Sequence, residues 1–210
     1  MDSASPRRRL RDEIVSLPNM LTLARVGMIP VVLLLLYYES PWHSFLAAVV
    51  FGLAAATDAL DGYLARKWKQ DSTFGKFLDP LADKLIVMAS LVMMLPMGRV
   101  PAWMVIVLLG RELTVTALRG IASTEGLVIA ASREGKYKTA LQLIGIVALL
   151  VHHEYPIWLF GLGEMRVSFH VVGLWLLVLS LVFSVLSAGD YVARFLAAAT
   201  RKGRRPDTVP

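Results

Sequence analysis

Apolar residues occur along this chain in six long segments, separated by short polar or proline-containing connections. The segments cover residues 20–38, 41–63, 80–97, 101–121, 136–151 and 167–195. Each is close to the roughly 20 helical residues that cross the hydrocarbon core of a bilayer. Prolines and glycines in the connections mark where each segment ends. The pattern therefore predicts an all-α integral membrane protein with six transmembrane helices.

Composition supports a membrane protein and restricts its chemistry. Of the 210 residues, 56% are hydrophobic and only 18% are charged, and the mean hydropathy is +0.60. An ordinary soluble domain has a smaller apolar share. The chain contains no cysteine, which excludes disulfides and thiolate metal sites. Any bound metal must be held by oxygen or imidazole ligands.

Basic residues lie almost entirely at one end of the predicted helices. Since cytoplasmic flanks accumulate lysine and arginine, both termini are predicted to be cytoplasmic. We expect residues 1–19 to form a cytoplasmic arm, residues 20–200 the six-helix catalytic domain, and residues 201–210 a basic, disordered tail. The net charge of +6 indicates contact with a membrane surface and argues against nucleic acid as a partner, because the basic residues flank apolar helices.

Four aspartates lie where the second and third predicted helices approach the cytoplasm. Asp58 and Asp61 are three residues apart, and Asp79 and Asp83 are four residues apart, so each pair lies on one helical face. The chain between the pairs is long enough to reverse, which would make the helices antiparallel. Such carboxylates repel one another unless cations neutralise them. The spacing predicts a site for one or two Mg²⁺ or Mn²⁺ ions, as in two-metal phosphoryl transfer.

Glycine and proline at fixed positions fit the same interpretation. Gly62 would let a bulky ligand approach the backbone, and Gly75 would allow a tight entry to the third helix. Pro80 suits a first helical turn, so Asp79 is also expected to cap that helix. The structural alternative is that each aspartate pair is a helix cap or a solvated face.

The complete stretch matches the pattern D-x2-D-G-x2-A-R-x8-G-x3-D-x3-D and resembles the CDP-alcohol phosphatidyltransferase family. The matching positions are Asp58, Asp61, Gly62, Ala65, Arg66, Gly75, Asp79 and Asp83. The resemblance implies a six-helix membrane fold with two divalent cations held by the aspartates. It also implies that Asp83 contacts metal and acts as the general base, taking a proton as the acceptor hydroxyl attacks the β-phosphorus of a CDP-linked lipid and CMP leaves.

The acceptor requires other residues. Arg111 and Glu112 interrupt the fourth segment, and Lys136 and Lys138 lie at the cytoplasmic mouth of the fifth. Arg111, Lys136 and Lys138 could together bind a phosphate, which would imply a phosphorylated alcohol as acceptor. The alternative is that Arg111 pairs with Glu112 or an aspartate, and that both lysines are flanking charges.

Further segments resemble the phosphatidylglycerophosphate synthase branch of the family, which uses CDP-diacylglycerol and glycerol 3-phosphate. They are PNMLTLAR at 18–25, GRELTVTALR at 110–119 and GKYKT at 135–139. By this resemblance the CDP-lipid site comprises Asn19, Thr22, Gly62, Ala65, Arg66 and Gly75, and the acceptor phosphate contacts Arg111, Lys136 and Lys138. The resemblance also implies a homodimer. The positions of the spans and basic residues predict an active site that faces the cytoplasm, in the cytoplasmic membrane of a bacterium.

Other functions remain open at this point. An inositol phosphate acceptor would also need a basic pocket, although later helices with more arginine would then be expected. A cation transporter also keeps intramembrane carboxylates, but it would not need Arg66 and Gly62 beside them. A prenyl-transferring enzyme would carry D-D-x-x-D-type runs, absent here. We expect no metal site at His152 and His153, and we expect Gly173 and Gly189 to be helix-packing positions.

Overall fold

Helices account for most of the computed structural model, which describes residues 17–68, 73–124, 134–159 and 163–203. In chain order the elements are α1 (Leu17–Tyr37), α2 (Pro41–Trp68), α3 (Thr73–Met93), α4 (Ala102–Thr124), α5 (Glu134–Val151), β1 (Glu154–Leu159), β2 (Gly163–Ser168) and α6 (Phe169–Gly203). Each of the six predicted apolar segments corresponds to one of these helices. The helical class is therefore confirmed.

The third helix begins earlier than its apolar segment suggests. α3 starts at Thr73, so Asp79 and Pro80 lie inside the helix, and the prediction that Asp79 caps it is wrong. Phe74, Phe77 and Leu78 have the three- and four-residue spacing of an apolar helical face, which continues the helix toward its N-terminus. The consequence is that Asp79 and Asp83 are separated by one turn of a continuous helix.

A β-hairpin joins α5 to α6, where sequence indicated only a break. The strands β1 and β2 are antiparallel, with Glu154 opposite Ser168 and Leu159 opposite Gly163. Tyr155 packs edge-on against Phe169, the first residue of α6, with ring centroids 5.7 Å apart. The all-α prediction is therefore incomplete at this connection.

Two glycines allow α5 and α6 to pack closely. A Cβ atom added at Gly173 would lie 2.7 Å from Leu149 Cγ and 2.9 Å from the Gly145 carbonyl oxygen. A Cβ at Gly145 would meet the Gly173 carbonyl oxygen at 3.2 Å. The packing role of Gly173 is thus confirmed. Within the part of the chain that the structure describes, nothing lies within 4 Å of a Cβ at Gly189, so a packing role for that residue stays a prediction.

Buried side chains form a continuous core between the helices. α1 packs against α2 and α3, α2 against α5, and α4 against α6. Core side chains with no exposed surface include Val32, Leu36, Phe51, Leu91, Met94, Ile146, Leu149 and Leu177. Many large apolar residues instead face outward, among them Leu34, Ile106 and Leu186. Outward apolar surface on this scale is expected where lipid replaces water.

Among the described residues, two helical segments have both the length and the low charge needed to cross a bilayer. They are Met20–Tyr37 and Phe169–Ala198. Pro41–Thr57 and Lys138–Val151 are apolar but shorter. The charged residues that shorten the apolar part of α2 include Asp58 and Asp61, which belong to the predicted site.

Arg99 fixes the end of the bundle where α3 connects to α4. Its guanidinium donates hydrogen bonds to the carbonyl oxygen of Leu150 at 2.8 Å and to Ser44 Oγ at 2.9 Å. The side chain is buried, and burial lowers its pKa below the usual value for arginine. Since the last carbonyls of a helix have no partner within it, Arg99 completes the C-terminal end of α5 and joins it to α2.

Three histidines, two of them adjacent in sequence, meet at the same end. α5 ends at Val151, and His152 adopts a positive φ of 62°. The ring of His152 then contacts the rings of His153 and His170, at centroid distances of 5.4 Å and 4.9 Å. Because α5 has already ended at Val151, helical spacing does not set the directions of these rings.

Candidate active site

A cavity of about 190 Å³ opens between the helices that carry the predicted site residues. Its polar lining comes from four helices: Arg25 on α1, Asp83 and Lys84 on α3, Glu112 on α4, and Lys138, Thr139 and Gln142 on α5. Apolar side chains such as Ile86, Leu108 and Leu143 complete the wall. An apolar pocket with a few converging polar groups is typical of a ligand site.

Asp83 supplies a carboxylate to this cavity. Its side chain is 52% exposed, and Oδ1 lies 3.9 Å from Arg25 Nη1. Arg25 itself is 1% exposed, and its Nε donates a hydrogen bond to the Ala54 carbonyl oxygen at 3.2 Å. Ala54 precedes Asp58 by about one turn of α2. Arg25 therefore links α1, α2 and α3 at the carboxylate predicted to be the base.

The other three aspartates are placed only by their helices. Asp58 and Asp61 lie within α2, and Asp79 lies within α3, one turn before Asp83; the side chains of these three lie outside those that the structure describes. Among the side chains it does describe, no group of three potential ligands could hold a metal ion. The donor set is nevertheless suitable for Mg²⁺ or Mn²⁺, because carboxylate oxygens are the ligands these ions prefer.

Residues predicted to contact the CDP-lipid are only partly described. Thr22 on α1 is fully buried, one turn before Arg25. The remaining five lie outside the described side chains: Asn19, Gly62, Ala65, Arg66 and Gly75. Their helical positions are in α1, α2 and α3. Their assignment to the CDP-lipid stays a prediction.

The three predicted acceptor residues have different surroundings. Lys138 lines the cavity, whereas the side chain of Lys136 lies outside those described. Arg111 is 8% exposed and pairs with Glu112 at 2.7 Å, and its Nε donates to the Ser184 carbonyl oxygen on α6 at 3.1 Å. These contacts match the alternative in which Arg111 pairs with Glu112. A direct role of Arg111 at the acceptor phosphate stays a prediction.

Several lining residues did not figure among the predicted site residues. Arg25, Lys84, Glu112 and Gln142 all reach the cavity. Arg25 and Lys84 could have been recognised from sequence, because a basic residue inside an apolar segment costs free energy unless it has a partner or a ligand. Their partners come from other helices, so sequence spacing alone did not reveal them.

A cavity between apolar helices that contains a carboxylate and basic residues fits a membrane-associated phosphotransferase. Comparison with known proteins specifies it further: residues 15–186 match the CDP-alcohol phosphatidyltransferase family, and the chain belongs to that family. It is similar to a CDP-diacylglycerol–glycerol-3-phosphate 3-phosphatidyltransferase of Bacillus subtilis, with 38% identity over 85% of this chain and 94% of the relative.

Two further relatives show the range of reactions among similar proteins. A probable phosphatidylglycerophosphate synthase of Mycobacterium tuberculosis is 36% identical over 89% of this chain and 84% of its own length. A CMP-forming cardiolipin synthase of rice is also 36% identical, over 68% of this chain but 47% of its own length.

Proposed function

We propose that this protein transfers the phosphatidyl group of CDP-diacylglycerol to glycerol 3-phosphate, giving phosphatidylglycerophosphate and CMP. Similarity to bacterial enzymes named for this reaction, along most of the chain, supports the proposal. The observation that carries it is the cavity lined both by Asp83 and by basic residues from two helices, Lys84 on α3 and Lys138 on α5. A carboxylate can accept a proton there, and cations can bind a phosphorylated acceptor.

In the proposed reaction, the acceptor hydroxyl oxygen forms a bond to the β-phosphorus of CDP-diacylglycerol. The bond from that phosphorus to the CMP oxygen breaks, and the hydroxyl proton moves to the Asp83 carboxylate. Arg25 holds α3 beside α1 and α2, so that the carboxylate faces the cavity.

Asp58, Asp61, Asp79 and Asp83 would hold two divalent cations, Mg²⁺ or Mn²⁺. Bound there, the ions would neutralise the diphosphate and stabilise the charge that develops during transfer. The support is chemical, because four carboxylates on two helices need cationic neutralisation. EDTA should therefore abolish CMP release, and added Mg²⁺ or Mn²⁺ should restore it.

We also propose six membrane spans, cytoplasmic termini and an active site at the cytoplasmic face of a bacterial membrane. The distribution of basic residues supports this orientation, since Arg99 and Arg166 are the only lysines or arginines in the opposite connections. A water-soluble acceptor and a lipid-borne CDP group would meet at this face. A homodimer is proposed from the family resemblance.

The test follows CMP release by purified protein in detergent or vesicles with Mg²⁺ or Mn²⁺ and CDP-diacylglycerol. Glycerol 3-phosphate, inositol phosphate and phosphatidylglycerol are offered separately as acceptors. We expect turnover with glycerol 3-phosphate. Turnover with inositol phosphate or phosphatidylglycerol alone would refute the proposed acceptor.

A second test concerns the proposed base. Asp83→Asn should abolish CMP release while substrate binding is retained. The matched control Asp190→Asn, at an exposed ion pair on α6, should remain active.

A further inference from the structure

Lys84 follows the proposed base directly in sequence, and its ammonium group contacts a neutral hydroxyl. Its Nζ donates a hydrogen bond of 2.6 Å to Thr116 Oγ1 on α4. The nearest carboxylate oxygen recorded for Lys84 among the described residues is Glu112 Oε1, at 3.9 Å. Ion pairs of that length between partly exposed groups contribute little. Among the described side chains, the ammonium group is thus held by a neutral hydroxyl, and its nearest counter-charge is 3.9 Å away.

Glu112 has a nearer partner than Lys84. Its Oε2 accepts from Arg111 Nη1 at 2.7 Å, and the Arg111 side chain, 8% exposed, also donates to the Ser184 carbonyl oxygen. Arg111 therefore neutralises Glu112 and leaves Lys84 as a cation available to a ligand. Lys138, on the α5 wall of the same cavity, is a second one.

Asp83 and Lys84 are consecutive on α3, and both line the cavity. Consecutive side chains on a helix diverge by about 100°, so the two can flank one small ligand without blocking each other. A hydroxyl group directed at Asp83 would then leave the other end of a short phosphorylated alcohol near Lys84. Lysine suits this task because it binds phosphate as a point charge.

We propose that Lys84 is a phosphate-binding residue for the acceptor, that Thr116 positions its ammonium group, and that Arg111 acts indirectly by holding Glu112. The inference rests on the proposed transfer to glycerol 3-phosphate. It places the acceptor phosphate between α3 and α5, in contact with Lys84 and Lys138. The diphosphate of the CDP-lipid is the competing ligand for the same cation, and the experiment separates the two.

Steady-state kinetics of Lys84→Met, Lys84→Arg and Thr116→Val provide the test, with each substrate varied in turn. Lys84→Met keeps the length of the side chain but removes its charge. It should raise KM for glycerol 3-phosphate about 10- to 100-fold, the range expected for one lost charge-assisted hydrogen bond, and change KM for CDP-diacylglycerol less than about twofold. Lys84→Arg should recover part of the loss. Thr116→Val should raise the acceptor KM by a few-fold, because the lysine remains but is less well placed.

Arg194→Met is the matched control, since Arg194 is an exposed cation on α6 that pairs with Asp190 and does not line the cavity. Its two KM values should equal those of the wild type. If Lys84→Met raises mainly the KM for CDP-diacylglycerol, the lysine binds the donor phosphates and the inference is wrong. An unchanged acceptor KM in both Lys84→Met and Thr116→Val also overturns it. Failure of the proposed function is distinct, because the wild type itself would then not use glycerol 3-phosphate.

Discussion

The guanidinium of Arg25 on α1 lies 3.9 Å from the carboxylate of Asp83 on α3, and the same side chain donates to the Ala54 carbonyl oxygen on α2. Arg25, which is only 1% exposed, thus connects α1 to α2 and α3, the two helices that carry the aspartate motif. Burying a cation is costly unless it is paired and hydrogen-bonded. This cost is understandable if Arg25 holds the carboxylate in position for proton transfer.

Arg25→Met is expected to lower kcat for CMP release by about 10- to 100-fold, a loss of about 1.4–2.7 kcal/mol of transition-state stabilisation. The reason is that Asp83 would lose its nearby positive charge and α1 would lose its tie to α2. Arg25→Lys should retain part of the activity because it keeps the charge. Full kcat in Arg25→Met, measured on folded protein, would show that Arg25 does not position the base.

Gly173→Ala should destabilise the protein, because the new methyl group would lie 2.7 Å from Leu149 Cγ and 2.9 Å from the Gly145 carbonyl oxygen. Overpacking of this kind costs about 1–3 kcal/mol. Gly189→Ala is the matched control on the same helix, since no described atom lies within 4 Å of its Cβ. Alanine favours a helix by up to about 1 kcal/mol over glycine, so this control should unfold at an equal or higher temperature. Thermal unfolding in detergent compares the two variants.

Arg99→Met should lower the unfolding temperature without a change in the KM of either substrate. The substitution leaves the Leu150 carbonyl oxygen and Ser44 Oγ without their donor, and each lost hydrogen bond to a buried charged group costs about 1.5–3 kcal/mol. Arg166→Met provides the control, because Arg166 is exposed on β2. An unfolding temperature equal to that of the control would contradict the structural role of Arg99.

The helices and the aspartate spacing were predictable from sequence because both depend on local periodicity. Six apolar segments indicate six helices, and the three- and four-residue spacings of the aspartates translate directly into one helical turn. α3 begins at Thr73, before the apolar segment that starts at Pro80. The three- and four-residue spacing of Phe74, Phe77 and Leu78 is the local signal for this longer helix.

Contacts between distant segments were not predictable in the same way. Lys84 meets Thr116 across 32 residues, and Arg25 meets Ala54 across 29. The sequence shows that placing these charges in apolar segments costs free energy, but only the packing of helices identifies their partners. The histidines illustrate the same limit, since His170 reaches His152 only because the β-hairpin returns the chain to the end of α5.

Stability should depend on pH through His152, which lies just beyond the end of α5. Burial, followed by the charge of Arg99 and the neighbouring His170 and His153, lowers the pKa of His152 from 6.5 to about 4. The folded protein therefore binds fewer protons at this site than the unfolded chain between these two values. Its contribution to stability is complete above about pH 6.5, falls as the pH decreases toward 4, and does not fall further below that.

His152→Asn tests this pH dependence without disturbing the backbone, because asparagine tolerates the positive φ of 62° found here. Unfolding temperatures of both proteins are measured in detergent from pH 7.5 to pH 4. The difference between wild type and variant should be constant above pH 6.5 and should shift in favour of the variant as the pH falls. Parallel curves over the whole range would mean that His152 titrates alike in the folded and unfolded states, and that its burial beside Arg99 has no effect on stability.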